Sequence, residues 1–208
     1  AFLEPSLVLG AGDVVPDDPA MHEPGFKVMH QANVDVRSNC VALKICLQQV
    51  RDWSDANPGH VAIMIQSEVK DAGDPADAAE LEALDAEILS VLPRDKIVTA
   101  DDLRGNYDTL GDAVGTRGWP NLGAMRGKVL LTLDNGGLRE LYRSGRPSLE
   151  GRVLFTPSVP GADDAAFAKL NNPIGDADEI QAALAAHMVV RTRADAETVQ
   201  ARTNDTTM

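Results

Sequence analysis

The stretch that begins at Val61 constrains the fold of this chain more than any other. It opens with an apolar run up to Ile65 and then turns polar, with Gln66, Glu68 and Lys70 at alternate positions. A continuous apolar run is typical of a strand that is covered on both faces, as in parallel α/β folds. Because side chains alternate across a strand, the three polar residues share one face if the chain stays extended.

Charged residues at one end of a buried strand have two interpretations. Burying such charges costs several kcal/mol each unless a partner or a metal compensates, so a simple Glu68–Lys70 salt bridge that closes the strand is one of them. The other is a functional site, because parallel α/β folds build their sites at the carboxyl ends of the strands.

The same pattern recurs along the chain. Apolar, strand-like runs cover residues 26–30, 61–66, 128–133, 152–156 and 188–192. Each is followed by a polar residue, in order His30, Glu68, Asp134, Ser158 and Arg191. A further short extended piece is predicted at 96–99. Segments with helical spacing separate these runs, and no tight hairpin signal is present, which indicates parallel β/α units.

The helical segments are predicted over residues 41–53, 76–91, 107–114, 138–144, 163–170, 177–187 and from Asp195 to about residue 204. Ser38 or Asn39 is the expected cap of the first helix, and Asp195 of the last. A barrel of eight β/α units usually needs about 250 residues. We therefore predict a partial (β/α)8 TIM-type barrel with about five to six parallel strands, lacking the first two and the last.

The whole chain is interpreted as one domain, in which residues 1–25 form an irregular loop and residues 26–208 form the incomplete barrel. An open doubly wound sheet is the alternative. Since no glycine-rich phosphate loop follows any of the predicted strands, a dinucleotide-binding fold is disfavoured.

Composition argues against some partners, although it leaves docking on a lipid through a local patch open. The net charge is −13, which argues against nucleic acid and against broad adhesion to anionic membranes. No apolar run approaches the roughly 18 residues of a transmembrane helix. No signal peptide is visible in the chain, which begins at Ala1 rather than Met.

Two cysteines are present, Cys40 and Cys46. They are too few for a zinc site, and their spacing is not that of a redox C-x-x-C motif. If Cys40 lies in the loop before the first predicted helix, a short-loop disulfide with Cys46 is feasible. Two buried free thiols are the alternative.

Four side chains are candidates for chemistry. His30 ends a predicted strand, where a histidine shuttles protons near neutral pH or simply makes a hydrogen bond in a loop. Glu68 offers a carboxylate to a hard cation such as Ca²⁺, although one carboxylate does not make a site. Arg191 and Arg193 alternate to one face, where they bind a phosphate or stack on a sugar ring, or form a surface pair.

Several motifs in order resemble the bacterial calcium-dependent phosphatidylinositol-specific phospholipase C family. The resemblance covers nearly the whole chain from Phe26 onward. The motifs are Phe26-Lys-Val-Met-His30, Ser38-x-Cys40-x5-Cys46-Leu47, Trp53-Ser54-x2-Asn57-Pro58-Gly59-His60, Glu68-x-Lys70-Asp71, the run Trp119 to Asp134, Arg191-Thr-Arg-Ala-Asp195, and Ala201-Arg-Thr-Asn-Asp205.

The resemblance implies a TIM-barrel phosphoric diester hydrolase of lipid metabolism. Such an enzyme cleaves phosphatidylinositol at a membrane surface to diacylglycerol and an inositol cyclic phosphate, with two histidines and Ca²⁺. His30 matches the second histidine, which is the general acid, and Glu68 matches a calcium-binding carboxylate. Lys70, Arg191 and Arg193 are the substrate contacts that the resemblance implies. A secreted or periplasmic bacterial location is implied.

The chain also departs from the family pattern. The first catalytic histidine, in a His-Asn motif, and further acidic calcium ligands are not found in it. We therefore expect a truncated chain that is inactive alone and exposes strand edges. Eukaryotic relatives carry phosphate-binding lysines where this chain has Thr132 and Asp134, which favours plain phosphatidylinositol as the substrate.

Two other functions stay open. A glycerophosphodiester phosphodiesterase shares the barrel, the Glu-x-Lys pattern and the need for metal, but releases glycerol phosphate by hydrolysis. A catalytically inactive barrel that binds a lipid or a sugar phosphate is the third possibility.

Overall fold

A computed structural model describes residues 17–31, 34–70, 76–195 and 198–207 of the chain. The predicted loop 1–25 therefore lies largely outside the described residues. Six strands are formed in the described part, and every pair among them is parallel. They are β1 Ile63–Ser67, β2 Ile97–Val98, β3 Val129–Leu133, β4 Leu154–Phe155, β5 Phe167–Lys169 and β6 Val189–Arg191.

Seven α-helices are formed in the same part of the chain, and most of them lie between successive strands. They are α1 Leu43–Ala56, α2 Ala78–Val91, α3 Ala100–Arg104, α4 Leu110–Arg117, α5 Arg139–Tyr142, α6 Ala177–Ala185 and α7 Val199–Thr203. Short 3-10 helices cover Pro19–Met21, Arg94–Lys96 and Gly136–Leu138. The helix predicted at 76–91, which has a long apolar periodicity, is observed as α2, and its bounds agree within about two residues.

β3 is the central strand of a four-stranded parallel sheet, and β5 and β6 form a second, two-stranded parallel sheet. β3 pairs with β1 over its full length, and on its other side with β2 at Val129 and with β4 at Leu131. β5 pairs with β6, and an isolated parallel bridge from Pro157 to Phe167 joins β4 to β5. The spatial order β1, β3, β4, β5, β6 is that of consecutive barrel units. The predicted partial β/α barrel with parallel strands is thus confirmed.

The hydrophobic core is centred on β3, all five residues of which are buried. Leu81, Leu84 and Ile88 form the buried stripe of α2 that belongs to the same cluster. Each fully buried aliphatic side chain of this kind contributes about 1.5–3 kcal/mol. The core thereby holds the strands in register and fixes where their carboxyl ends lie.

The prediction of a strand at 26–30 is wrong. Within this segment Lys27 forms only an isolated antiparallel bridge with Ala42. Val28 donates its N–H to Val41 at 3.0 Å, and Leu43 donates to Phe26 at 2.9 Å. The segment therefore pairs with the chain that enters α1, and its backbone groups are not used in the parallel sheet.

The prediction of a helix at 163–170 is also wrong, because residues 167–169 form β5. The segment is rich in alanine, which favours a helix in isolation. In the folded protein it is enclosed between β4 and β6, and Ala166, Phe167 and Ala168 are buried. Tertiary packing therefore overrides the local preference.

The two predicted helix caps are wrong as well. α1 begins after Ala42, which makes no side-chain cap, while the Ser38 hydroxyl bonds the backbone of Cys40. α7 begins at Val199, after Thr198, so Asp195 is not the capping residue; its carboxylate accepts the N–H of Gln200.

In the described residues, no helix is long and apolar enough to cross a membrane.

Candidate active site

A groove at the carboxyl end of β1 brings together three of the predicted site residues. His30, Glu68 and Lys70 line it, and its volume is about 420 Å³. Its walls are apolar, with Leu43, Leu47 and Val50 from α1 and Ile65 from β1 among them. The groove therefore combines an apolar wall with an imidazole, a carboxylate and an ammonium group.

His30 is paired with an acidic residue that the sequence did not single out. Its Nδ1 lies 3.0 Å from Oδ2 of Asp35, and both side chains are exposed. An imidazole that donates its Nδ1 proton to a carboxylate has a fixed orientation and leaves Nε2 for a second proton. The signal in the sequence was the spacing of His30 and Asp35 within one loop.

Glu68 and Lys70 form an ion pair, with Lys70 Nζ 3.4 Å from Glu68 Oε2. The predicted salt bridge at the end of the strand therefore exists. The pair also shows that the two side chains share one side of the chain, as the alternation predicts, while Val69 between them is buried. Glu68 has more than half of its side chain exposed, so its carboxylate is accessible from the groove.

A second polar cluster lies at the carboxyl ends of β1, β3 and β5. Gln66 Nε2 donates to one carboxylate oxygen of Asp134. The ammonium group of Lys169 lies 2.5 Å from the other oxygen and 2.9 Å from the Asp134 carbonyl oxygen. Lys169 was missed in the sequence because its segment was predicted to be a helix.

Arg191 and Arg193 do not line the groove. Arg191 ends β6, in register with Lys169 of β5, and donates a hydrogen bond to the Asn171 side chain. Arg193 follows β6 and is exposed. Arg191 therefore belongs to the strand ends beside the second cluster.

A buried carboxylate anchors the connection between β4 and β5. Asp164 accepts hydrogen bonds from Arg139 at 2.8 Å and 2.5 Å, from Thr156 at 2.8 Å and from Ser158 at 2.8 Å. Burial by itself raises the pKa of Asp164, but these hydrogen bonds outweigh it and lower the pKa below its usual value. Ser158, predicted at a strand end, is therefore part of a structural network.

The described residues do not contain a complete metal site. No group of three or more His, Cys, Asp and Glu side chains close enough to hold a metal occurs among them. Glu68 has the hard oxygen donor that Ca²⁺ prefers, and its exposure leaves it accessible. Asp134 is already bound to Lys169 and Gln66. Glu68 therefore fits one ligand position of a calcium site, and only one.

Cys40 and Cys46 form a disulfide. Cys40 lies in the loop before α1 and Cys46 in its first turns, and both line the groove next to His30. The disulfide ties the loop that carries Asp35 to the helix that forms the apolar wall.

Polar and charged groups gathered at the carboxyl ends of parallel strands define this chain as a β/α-barrel protein of the kind that carries its site at the strand ends. The family model described as "Phosphoinositide phospholipase C, Ca2+-dependent" matches residues 2–208. The chain belongs to this family. Comparison with curated proteins gave no match.

Solved structures of similar fold come from two bacteria. One is the calcium-dependent phosphoinositol-specific phospholipase C of Pseudomonas sp., with 22% identity, a TM-score of 0.61, and coverage of 79% of this chain and 61% of that one. Another is the Ca²⁺-dependent phosphatidylinositol-specific phospholipase C of Streptomyces antibioticus, with 23% identity, a TM-score of 0.52, and coverage of 74% and 59%. The chain thus spans about three fifths of the length of these relatives.

Proposed function

We propose that the protein, in its full length, cleaves phosphatidylinositol to diacylglycerol and an inositol cyclic phosphate in a calcium-dependent reaction. The observation that carries the proposal is that His30, oriented by Asp35, and Glu68, paired with Lys70, line the same groove. The family match along the chain favours this reaction over a glycerophosphodiester phosphodiesterase.

In the proposed reaction the inositol 2-hydroxyl oxygen attacks phosphorus, and the bond from phosphorus to the glycerol oxygen breaks. His30 donates a proton to the departing glycerol oxygen, which is general acid catalysis. Asp35 holds the imidazole in place, because its carboxylate lies 3.0 Å from Nδ1. The base that takes the 2-hydroxyl proton is not assigned to a described residue.

Glu68 is the proposed calcium ligand from this part of the chain. When bound, Ca²⁺ offsets the negative charge that grows on the phosphate. Lys70, 3.4 Å from Glu68, keeps that carboxylate oriented and adds a positive charge beside the phosphate. Arg191 and Arg193 are proposed substrate contacts from the end of β6.

A membrane surface is the proposed place of action. Three large aliphatic side chains, each more than half exposed, lie in segments that follow the carboxyl end of a strand: Val159, Ile174 and Val199. Loops after parallel strands open on the face that carries the site. Apolar side chains on that face suit insertion between lipid headgroups, with the lipid phosphate next to the groove.

A secreted or periplasmic location is proposed as well. The Cys40–Cys46 disulfide supports it, because disulfides persist in oxidising compartments and are rare in the cytosol.

The decisive experiment incubates the full-length protein with vesicles that contain phosphatidylinositol, with Ca²⁺ or with a chelator. Phosphorus NMR then identifies the product, and cyclic inositol phosphate separates the proposed reaction from release of glycerol phosphate. We expect His30→Ala to lower kcat by about 10²–10⁴-fold, as for loss of a general acid.

His22→Ala is the matched control, since His22 is exposed and belongs to the same segment. It is expected to keep the wild-type rate. Turnover that is independent of calcium, or equal loss of activity in both histidine variants, contradicts the proposal.

A further inference from the structure

The side chain of Asn135 bonds to the backbone of Val69 just beyond the point where the backbone pairing of β1 with β3 ends. The last paired residues are Ser67 and Leu133, and Asp134 donates its N–H to the Ser67 carbonyl at 2.8 Å. Beyond this point Val69 donates its N–H to Asn135 Oδ1 at 2.7 Å, and Asn135 Nδ2 donates to the Val69 carbonyl at 2.8 Å.

These two bonds lie where the register of the sheet requires them. Each β1 residue pairs with the β3 residue 66 positions later, which is also the separation of Val69 and Asn135. The backbone of β3 does not supply the bonds, because the chain turns after Asn135 into the 3-10 helix Gly136–Leu138. The side-chain amide, with one acceptor and one donor group, takes the place of a peptide.

The bonds determine the course of the chain past the end of β1. The Val69 side chain is buried, and a buried N–H or carbonyl left unpaired costs about 1–3 kcal/mol. Pairing with Asn135 keeps residues 68–70 extended, so Glu68 and Lys70 stay on one side and form their 3.4 Å ion pair. One amide thereby sets the position of both charged groups that line the groove.

We infer that Asn135 is a positioning residue that holds Glu68 and Lys70 in the geometry needed to bind Ca²⁺ and the substrate phosphate. The inference rests on the proposed function, because it assigns those tasks to Glu68 and Lys70. Residues that hold a metal ligand in place typically account for 10–100-fold in affinity or activity.

The test uses the full-length protein and the variants Asn135→Ala and Asn135→Asp. Asn135→Ala removes both bonds, whereas Asn135→Asp keeps an acceptor for the Val69 N–H and loses the donor. Asn121→Ala is the matched control, since the Asn121 side chain accepts the N–H of Ala124 at 3.0 Å in the turn before β3. Three quantities are measured: hydrogen exchange at the amides of residues 68–70, the half-saturating calcium concentration, and KM and kcat for phosphatidylinositol.

We expect Asn135→Ala to speed exchange at Val69 and to raise the half-saturating calcium concentration by about 10–100-fold. Asn135→Asp is expected to lie between Asn135→Ala and the wild type, and Asn121→Ala to match the wild type. Faster exchange with an unchanged calcium requirement and unchanged KM overturns the inference, because the two bonds are then only structural.

Two further outcomes are also decisive. If Asn135→Ala does not fold, Asn135→Asp decides, and a wild-type calcium requirement in it overturns the inference. If the wild-type protein neither binds calcium nor cleaves phosphatidylinositol, the proposed function fails by itself. Exchange at residues 68–70 then decides whether Asn135 positions the segment, with equal rates in Asn135→Ala and Asn121→Ala counting against it.

Discussion

Asp134 determines the charge that a substrate meets at the ends of β3 and β5. Its carboxylate binds the ammonium group of Lys169 at 2.5 Å, so the lysine is neutralised by its neighbour. The Lys169 charge is therefore not available to hold a phosphate on the inositol ring. The sequence-based preference for plain phosphatidylinositol stays a prediction, and the ion pair with Lys169 gives it a physical basis.

We predict that Asp134→Asn shifts specificity toward a ring-phosphorylated substrate. Loss of the carboxylate removes a repulsion and releases the Lys169 charge. With an effective dielectric constant of about 20–40 and a separation of about 8 Å, one charge changes the interaction by roughly 1–2 kcal/mol, or about tenfold in rate. The measurement is kcat/KM for phosphatidylinositol and for its 4-phosphate.

The control for this prediction is Asp95→Asn, which removes one negative charge before β2, at the opposite end of the strands. The prediction is contradicted if the ratio of the two kcat/KM values is unchanged in Asp134→Asn. It is also contradicted if Asp95→Asn changes this ratio by the same amount.

At the scale of elements, a buried polar network joins α2, α5 and β4. The Tyr142 hydroxyl donates to Asp85 at 2.5 Å and accepts the N–H groups of Val153 and Leu154 at 3.2 Å and 2.9 Å. Arg152 donates to Asp85 at 3.1 Å. Breaking such a network by removing one partner leaves a buried polar group unpaired, which is strongly destabilising.

The same network gives stability a pH dependence. Burial raises the pKa of Asp85 to about 6, although the hydrogen bond from Tyr142 and the charge of Arg152 act in the opposite direction. Because the folded state holds the Asp85 proton more tightly than the unfolded state does, this group stabilises the fold at a pH below its pKa in the unfolded state. The stabilisation is lost as the pH rises through its folded-state pKa of about 6.

We therefore predict that Asp85 lowers the free energy of unfolding by about 2–3 kcal/mol between pH 4 and pH 7. Asp85→Asn should remove this part of the pH dependence, whatever its effect on absolute stability. Urea unfolding at several pH values measures how the free energy of unfolding changes with pH in the wild type and in the variant. Glu87, whose pKa burial also raises, is retained in both proteins, so it does not account for a difference between them. Identical slopes would be evidence against the role of Asp85.

For the whole molecule, we predict that the loops after β4 and β5 bind the lipid surface. Val159 and Ile174, in the loops after β4 and β5, are both mostly exposed. The double variant Val159→Ser/Ile174→Ser should bind phosphatidylinositol vesicles about thirtyfold more weakly, because each of the two lost aliphatic side chains contributes roughly 1 kcal/mol on burial. Vesicle sedimentation measures the change.

Turnover of a soluble short-chain phosphatidylinositol should be the same in the double variant as in the wild type, since the groove is unaltered. Leu184→Ser serves as the control, because Leu184 is exposed on α6, outside the strand-end loops. Equal vesicle binding by all three proteins would refute docking through these loops.

The sequence by itself determined the architecture of this protein. Apolar runs that alternate with periodic helical segments indicated parallel β/α units, and the polar residues after each run indicated where a site lies. The strongest patterns, such as α2 and β3, were located closely because hydrophobic burial dominates over such lengths.

Only the tertiary structure decided the features that depend on contacts between distant segments. β5 is a strand because β4 and β6 enclose it, although its composition favours a helix. Residues 26–30 are not a strand because their backbone groups pair with the entry to α1. The bond between Asn135 and Val69 joins residues 66 positions apart, and no local preference specifies such a contact. Short segments and single side chains carry too little local free energy to fix their own structure, so the surrounding packing does.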